Sequence, residues 1–176
     1  MFRQMICVTV VLLAGCVTGH GSAPGSEPRL ADREAIEEVL SRANIGFELG
    51  DADLFAGAFA IDGVYRLDEK APVFGYDKML YQGRDEIRTI VTSRLEKARN
   101  TDPKTLSYDP ASLRRFNRNS DDRIAILDNN TARHTSTWMV VMHTNVNIHI
   151  SAIGRYADTL KKIDGKWLIV DRTRTE

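Results

Sequence analysis

The order of the regular elements limits most strongly how this chain can fold. Three segments with helical spacing of apolar residues come first, and four long β-prone runs follow Pro103. Helices grouped before antiparallel strands favour an α+β domain whose helices cover one face of a curved sheet. The sequence therefore predicts one such domain over residues 30–176, with three N-terminal helices on a mostly antiparallel sheet.

The predicted helices have recognisable ends. The first helix is predicted to begin with Asp32 as its N-cap and to end before Gly50, a typical C-terminal glycine. Asp51 can cap a short second helix, and a third helix follows Gly83 and Arg84. The buried stripe of the first helix is predicted to contain Ala35, Ile36, Val39, Leu40, Ala43 and Phe47.

The strands are predicted from β-prone runs and the turns between them. A turn is expected at Ile61-Asp62-Gly63, and a first strand is expected to begin at Val64. Long strands are predicted near Leu113–Leu127, Thr131–His143, Asn147–Ile163 and Lys166–Thr173.

Alternation along two of these strands suggests which side chains share a face. One face of the Thr131–His143 strand carries His134, Ser136, Trp138, Val140 and Met142. On the next strand, one set contains Ile148, Ile150, Ala152, Gly154 and Tyr156. The face with His134 and Trp138 is the better candidate for a pocket, because it combines bulky apolar groups with one titratable ring.

The N-terminal run Leu12-Leu13-Ala14-Gly15-Cys16 resembles the lipobox of bacterial lipoproteins. It follows a short segment with one positive charge and a short apolar run, as in an export signal. This resemblance implies a signal peptide over residues 1–15, lipidation of Cys16 and a flexible tether over residues 16–29. An ordinary secretory signal is the alternative. Val17 after the cysteine favours the periplasmic face of the outer membrane.

Composition argues against several other classes of partner. Lysine plus arginine and aspartate plus glutamate each number 24, so no net charge recruits nucleic acid. The four histidines have no close cysteine or acidic partner in sequence, and no phosphate-binding glycine loop is present. We therefore predict no metal, no cofactor and no nucleic-acid partner. The membrane is expected as a partner through the lipid on Cys16.

Several segments together resemble one known family. They are FELGDADLFAGAFAIDGVYRL from Phe47 to Leu67, Gly83-Arg84-Asp85-Glu86-Ile87, Ile153-Gly154-Arg155-Tyr156-Ala157-Asp158, and Asp164-Gly165-Lys166-Trp167. In order and spacing they resemble the SnoaL-like branch of the nuclear transport factor 2-like (NTF2-like) superfamily, over about Arg29 to Arg174. This resemblance implies a cone-shaped α+β barrel with an apolar pocket at its open end. Its relatives include ketosteroid isomerase, scytalone dehydratase and polyketide cyclases, together with proteins that have no catalytic activity.

The resemblance and the strand faces define the candidate site. A pocket for a ligand is predicted to contain Phe47, Phe55, Tyr65, Tyr81, Ser136, Trp138 and Tyr156. His134 is the candidate general base and Tyr65 a candidate group to polarise a carbonyl, while a hydrogen-bonded structural histidine is the alternative for His134. Asn44 stands where dehydratases of the superfamily carry an acidic residue late on the first helix. Arg155 and Arg172, with Asp158 and Asp171 nearby, are interpreted as paired structural arginines, and anion recognition is the alternative.

Three functions remain open from the sequence. The leading hypothesis is an envelope lipoprotein that binds a small apolar or aromatic molecule in its cone pocket. The alternative is a lyase or isomerase of the dehydratase or ketosteroid-isomerase type, with His134 as base. The third is a non-catalytic interaction module that forms a homodimer.

Overall fold

The computed structural model describes residues 26–68, 76–100, 114–145 and 147–175. The predicted signal peptide, the lipidation site Cys16 and most of the predicted tether lie outside the described residues. Helices are α1 (Ser26–Leu49), α2 (Ala52–Gly57) and α3 (Arg84–Asn100). None of them has both the length and the apolar character needed to cross a membrane.

The start of α1 corrects one prediction. The helix begins at Ser26, so the end of the predicted tether is helical, and Asp32 lies within the helix instead of capping it. Pro28 fits there because the first turn of a helix has no acceptor for its N–H groups. The Asp32 carboxylate accepts hydrogen bonds from Lys162 Nζ at 2.7 Å and Trp167 Nε1 at 2.9 Å. Asp32 thus joins α1 to the last two strands.

The junction between α1 and α2 follows the prediction. Gly50 directly follows α1 with a φ of +74°, a conformation that glycine adopts without strain. Asp51 is the N-cap of α2, where its side chain accepts the Leu54 N–H at 2.9 Å.

Within the described residues, six strands form one sheet with helices packed against it. They are β1 (Phe59–Leu67), β2 (Leu80–Gln82), β3 (Arg114–Ile126), β4 (Thr131–His143), β5 (Ile148–Ile163) and β6 (Lys166–Thr175). Their spatial order is β2-β1-β6-β5-β4-β3, and only the β1–β6 pair is parallel. The predicted α+β class and mostly antiparallel sheet are therefore confirmed.

Two strands differ from the prediction. β1 already begins at Phe59, and the predicted turn at Ile61-Asp62-Gly63 is part of a strand whose pairing with β6 is irregular between Phe59 and Val64. β2 was not predicted, because three residues are too few to show a period.

A bulge in β5 changes which of its residues share a face. Val140 pairs with Ala152 but Val141 pairs with Ile150, so Ser151 is the extra residue. Ile148 and Ile150 are consequently 67% and 56% exposed, while Tyr156 is buried. The single face predicted to run from Ile148 to Tyr156 is therefore wrong.

The inner face of β4 is the one that carries His134. That face is buried at His134, Ser136, Trp138 and Val140. The main core lies between the helices and the inner face of the sheet, and a smaller cluster surrounds Trp138. This smaller cluster borders the candidate site.

Candidate functional site

A cavity lies between the C-terminal part of α1 and the inner face of the sheet. Its volume is about 80 Å³, which is room for several waters at ~10–15 Å³ each. The lining residues are Asn44, Phe47, Glu48, Asn119, Trp138, Met139, Val140, Tyr156 and Arg174.

Trp138 forms one wall of this cavity because Gly154 lies opposite it on β5. The two residues are register partners, and a Cβ atom added to Gly154 would lie 2.5 Å from Trp138 Cζ2. The missing side chain therefore lets the indole lie close against the β5 backbone. The centroids of the Trp138 and Tyr156 rings are 6.2 Å apart, within the range of favourable aromatic pairs.

Arg174 supplies a cation to the same cavity. Its side chain is on β6, and its guanidinium carbon lies 3.8 Å from the centroid of the Trp138 ring. The residue is only 3% exposed, and Arg174 Nη1 donates a hydrogen bond to the Tyr76 hydroxyl. Burial lowers the pKa of Arg174, but the tyrosine hydroxyl groups around it raise the pKa more. The guanidinium therefore stays charged.

Two tyrosines lie beside Arg174, Tyr65 buried and Tyr76 half-buried. Burial raises the pKa of Tyr65 well above its usual value, and it raises the pKa of Tyr76 as well. Both phenols therefore remain protonated at neutral pH. Tyr76 is hydrogen-bonded to Tyr65 as well as to Arg174, so the chain of contacts holds the cationic side chain in place.

Phe47 forms the opposite wall, and Arg94 of α3 holds it in place. Arg94 Nη1 donates to the Phe47 carbonyl oxygen at 2.9 Å, and the Arg94 guanidinium carbon lies 4.3 Å from the Phe47 ring centroid. Close packing of α2 on α1 supports this wall, because a Cβ at Gly46 would lie 2.4 Å from Phe55 N. The Phe47 and Phe55 ring centroids are 5.7 Å apart.

A buried polar network lies farther along the inner face of the sheet. His134 Nδ1 contacts Asp158 Oδ2 at 2.8 Å, and His134 Nε2 contacts Asp122 Oδ1 at 2.9 Å. Arg172 Nε and Nη2 donate to the two oxygens of Asp158 at 2.7 and 2.8 Å. His134, Asp158 and Arg172 are register partners on three adjacent strands, so antiparallel pairing brings them together.

Asp158 and Arg172 form a pair of opposite charges within this network. Burial raises the pKa of Asp158, but Arg172 and then His134 lower it more, and the resulting pKa is below the usual value. Asp158 is therefore ionised at neutral pH and pairs with the buried Arg172 cation. This pair confirms the interpretation of Arg172 as a structural arginine.

The geometry around His134 favours the structural alternative. A general base needs a ring nitrogen that can accept a proton from the substrate. Both ring nitrogens of His134 face carboxylate oxygens, and His134 is not among the residues that line the cavity. The general-base role remains a prediction.

The other predicted site residues divide between the cavity and the core. Phe47, Trp138 and Tyr156 line the cavity. Phe55, Tyr65 and Tyr81 belong to the main core, where the Tyr81 hydroxyl accepts backbone N–H groups of the segment before β2. Ser136 is buried between His134 and Trp138, and its Oγ has no hydrogen-bond partner among the described residues.

Two polar residues of the cavity, Arg174 and Asn119, are not among those predicted from the sequence. Arg174 was missed because the last strand was predicted to end at Thr173, although alternation from Arg172 would have placed it on the inner face. Asn119 was missed because the bulge between Ser120 and Arg123 changes the face of every β3 residue before it. Within the described ranges, no group of His, Cys, Asp and Glu is arranged to hold a metal ion.

Comparison with known proteins agrees with this architecture. An NTF2-like protein with a cystatin-like fold from Novosphingobium aromaticivorans is 18% identical, with a TM-score of 0.64 over 89% of this chain and 91% of that one. A variant of Rv3472 from Mycobacterium tuberculosis is 22% identical, with a TM-score of 0.63 over 85% and 74%. A protein from Catenulispora acidiphila, in complex with S-DNPA, is 16% identical, with a TM-score of 0.59 over 83% and 93%.

At these identities the solved structures establish the NTF2-like fold alone. A search of the curated proteins found no match. The sequence model of the SnoaL-like domain matches residues 28–173, which is nearly all of the described chain. The chain therefore belongs to the SnoaL-like domain family.

Proposed function

We propose that this protein is an envelope lipoprotein whose SnoaL-like domain binds a small aromatic molecule in the cavity beneath α1. The observation that carries the proposal is the composition of the cavity wall. Five of the nine lining residues present apolar or aromatic surface, and the other four are Asn44, Glu48, Asn119 and Arg174. Binding sites for small molecules typically combine such a wall with a few polar groups that orient the ligand.

The size of the cavity limits the ligand. A volume of about 80 Å³ is below the ~150 Å³ of an apolar cavity that takes up benzene, so the ligand can contain no more than one aromatic ring. A related structure, from Catenulispora acidiphila, is a complex with a small molecule. That observation supports ligand binding by this fold, and the wall residues of this chain support the choice of an aromatic ring.

Isothermal titration calorimetry with the neutral ligand benzamide tests this proposal. We expect Val140→Phe to weaken binding by about tenfold or more, because the new ring would occupy the ligand's space and a ring-sized apolar contact contributes ~1.5–3 kcal/mol. Ile153→Phe is the matched control, since Ile153 is 53% exposed on the adjacent strand. Equal binding by the wild type and Val140→Phe, or no heat for any single-ring compound, would contradict the proposal.

A lyase or isomerase that uses His134 is the second candidate function. In its favour, Asp158 orients His134 through Nδ1, and the carboxylate on Nε2 belongs to Asp122, whose side chain is 53% exposed. Movement of Asp122 would free Nε2 to accept a proton. This candidate requires that the protein turns over a phenolic or steroid-like substrate and that His134→Gln abolishes the turnover. It is excluded if the wild type and Asp122→Asn are both inactive on all such substrates.

The proposed anchor and dimer are tested separately. Labelling with a radioactive fatty acid should mark the wild type but not Cys16→Ser, and label on both would exclude Cys16 as the anchor. The proposal of a homodimer is motivated by Ile148, Ile150 and Ile153, which are exposed on β5. Sedimentation of the domain should then show a dimer that Ile150→Lys dissociates, whereas a monomeric wild type would exclude it.

A further inference from the structure

The cavity has a charge that its apolar wall does not explain. Arg174 is buried within it, and arginine remains protonated at any physiological pH. The lining also contains the carboxylate of Glu48, which is exposed on α1. The cavity lining therefore carries one buried cation and one exposed carboxylate.

The two inner arginines of β6 have different surroundings. Arg172 is bound by the carboxylate of Asp158 through two hydrogen bonds. Arg174 is bordered by the Trp138 and Tyr76 rings, at 3.8 and 5.3 Å from its guanidinium carbon, and by the Tyr76 hydroxyl. Aromatic faces attract a cation and leave it charged, so Arg174 contributes a buried positive charge to the cavity lining.

A second donor lies beside the same wall. Asn119 is the register partner of Trp138 and lines the cavity. Its Nδ2 atom is buried and has no hydrogen-bond partner among the described residues. A buried donor without a partner is costly, and a ligand acceptor in the cavity would satisfy it.

We propose that the ligand of this cavity is an aromatic carboxylate, whose ring contacts Trp138 and whose carboxylate is bound by Arg174, with the Asn119 amide as a further donor. This inference rests on the proposed function and adds the charge of the ligand. A planar guanidinium can bind both oxygens of a carboxylate, a geometry that a neutral amide does not reproduce. The Arg174 guanidinium carbon lies 3.8 Å from the Trp138 ring centroid, and this close contact restricts the movement of the side chain.

Benzoate and benzamide provide a matched pair of probes, because they have nearly the same shape and differ in charge. With wild-type protein we expect calorimetry to give about tenfold or more tighter binding of benzoate, as is typical of a charge-assisted hydrogen bond. Arg174→Gln should remove this preference, so that the variant binds benzoate no more tightly than benzamide. Arg155→Gln is the control, since Arg155 is an exposed arginine on β5 and should keep the full preference.

The possible results separate the carboxylate assignment from the proposed aromatic site. Equal binding of the two probes by the wild type would overturn the carboxylate assignment and leave the proposed aromatic site in place. Binding of neither probe would overturn the proposed site and the assignment together. If Arg174→Gln does not fold, the wild-type comparison still decides, and Asn119→Ala should reduce benzoate affinity in a folded background. Unchanged benzoate affinity in that variant would exclude the Asn119 contact.

Discussion

At Gly154 the backbone of β5 lies directly against the Trp138 indole. We expect Gly154→Ala to lower the free energy of unfolding by ~1–3 kcal/mol, because the added methyl group overlaps the indole and the Thr175 carbonyl. Urea unfolding measures this loss. In Gly57→Ala, where no atom lies within 4 Å of the added Cβ, the change should stay below ~1 kcal/mol. Equal stability of both variants would show that Trp138 has room to move.

Asp158 is the second residue whose replacement should be costly. It is 3% exposed and neutralises Arg172, which is 1% exposed. Asp158→Asn leaves that cation without its counter-charge, and we expect a loss of ~3–5 kcal/mol in the free energy of unfolding. Asp171→Asn, next to Arg172 on β6, breaks the exposed pair with Arg66 of β1 and should cost less than ~1 kcal/mol. Similar losses in the two variants would contradict the view that burial makes the difference.

The same carboxylate should contribute to acid unfolding. The pKa of Asp158 is lowered in the folded state, so its contribution to stability is complete above its usual value of 3.8 and is lost as pH falls through the lower folded value. Stability measured by urea unfolding between about pH 5 and pH 2 should therefore decline more steeply in the wild type than in Asp158→Asn. Asp32, Asp77 and Glu86 also have lowered pKa values, and they contribute to both proteins. Parallel profiles would exclude Asp158 as a titrating group.

At the scale of the elements, local signals predicted most of the fold. The end of α1 at Gly50 and the start of α2 at Asp51 could be predicted, because both effects depend on neighbouring backbone groups. Asp32 has the same local pattern as an N-cap, but its partners are Lys162 and Trp167, more than a hundred residues away in sequence. No local rule identifies such partners. The bulges in β3 and β5 could not be predicted either, because the alternation of side chains assumes an uninterrupted strand.

At the scale of the whole molecule, the cavity combines side chains from five elements. α1 contributes Phe47, β4 contributes Trp138, and β5 contributes Tyr156, and the sequence predicted these three. The apolar wall could therefore be predicted from the hydrophobic pattern, because each of these three residues lies on the buried face of its helix or strand. The polar groups Asn119 and Arg174 depend on strand register and strand length, and these are fixed only when the sheet is assembled.

The cavity is far from the start of α1, where the proposed lipid anchor would be attached. Asp32 contacts the β5–β6 hairpin, whereas Phe47 lies at the cavity, and the two residues are separated by about 22 Å along α1. A tether from Cys16 would join the domain at the start of this helix. We therefore expect the cavity to be distant from the point of attachment and accessible from the aqueous phase of the envelope.

The central claim is that the cavity beneath α1 binds one aromatic ring, and the indole N–H signals of the two tryptophans test it most directly. Trp138 lines the cavity, while Trp167 is buried against α1 and bonds to Asp32. In proton–nitrogen correlation spectra, titration with benzoate should shift the Trp138 signal progressively to saturation and leave the Trp167 signal in place. Trp138→Phe assigns the two signals. A saturable shift confined to Trp167, or no shift of Trp138 with any single-ring compound, would contradict the account.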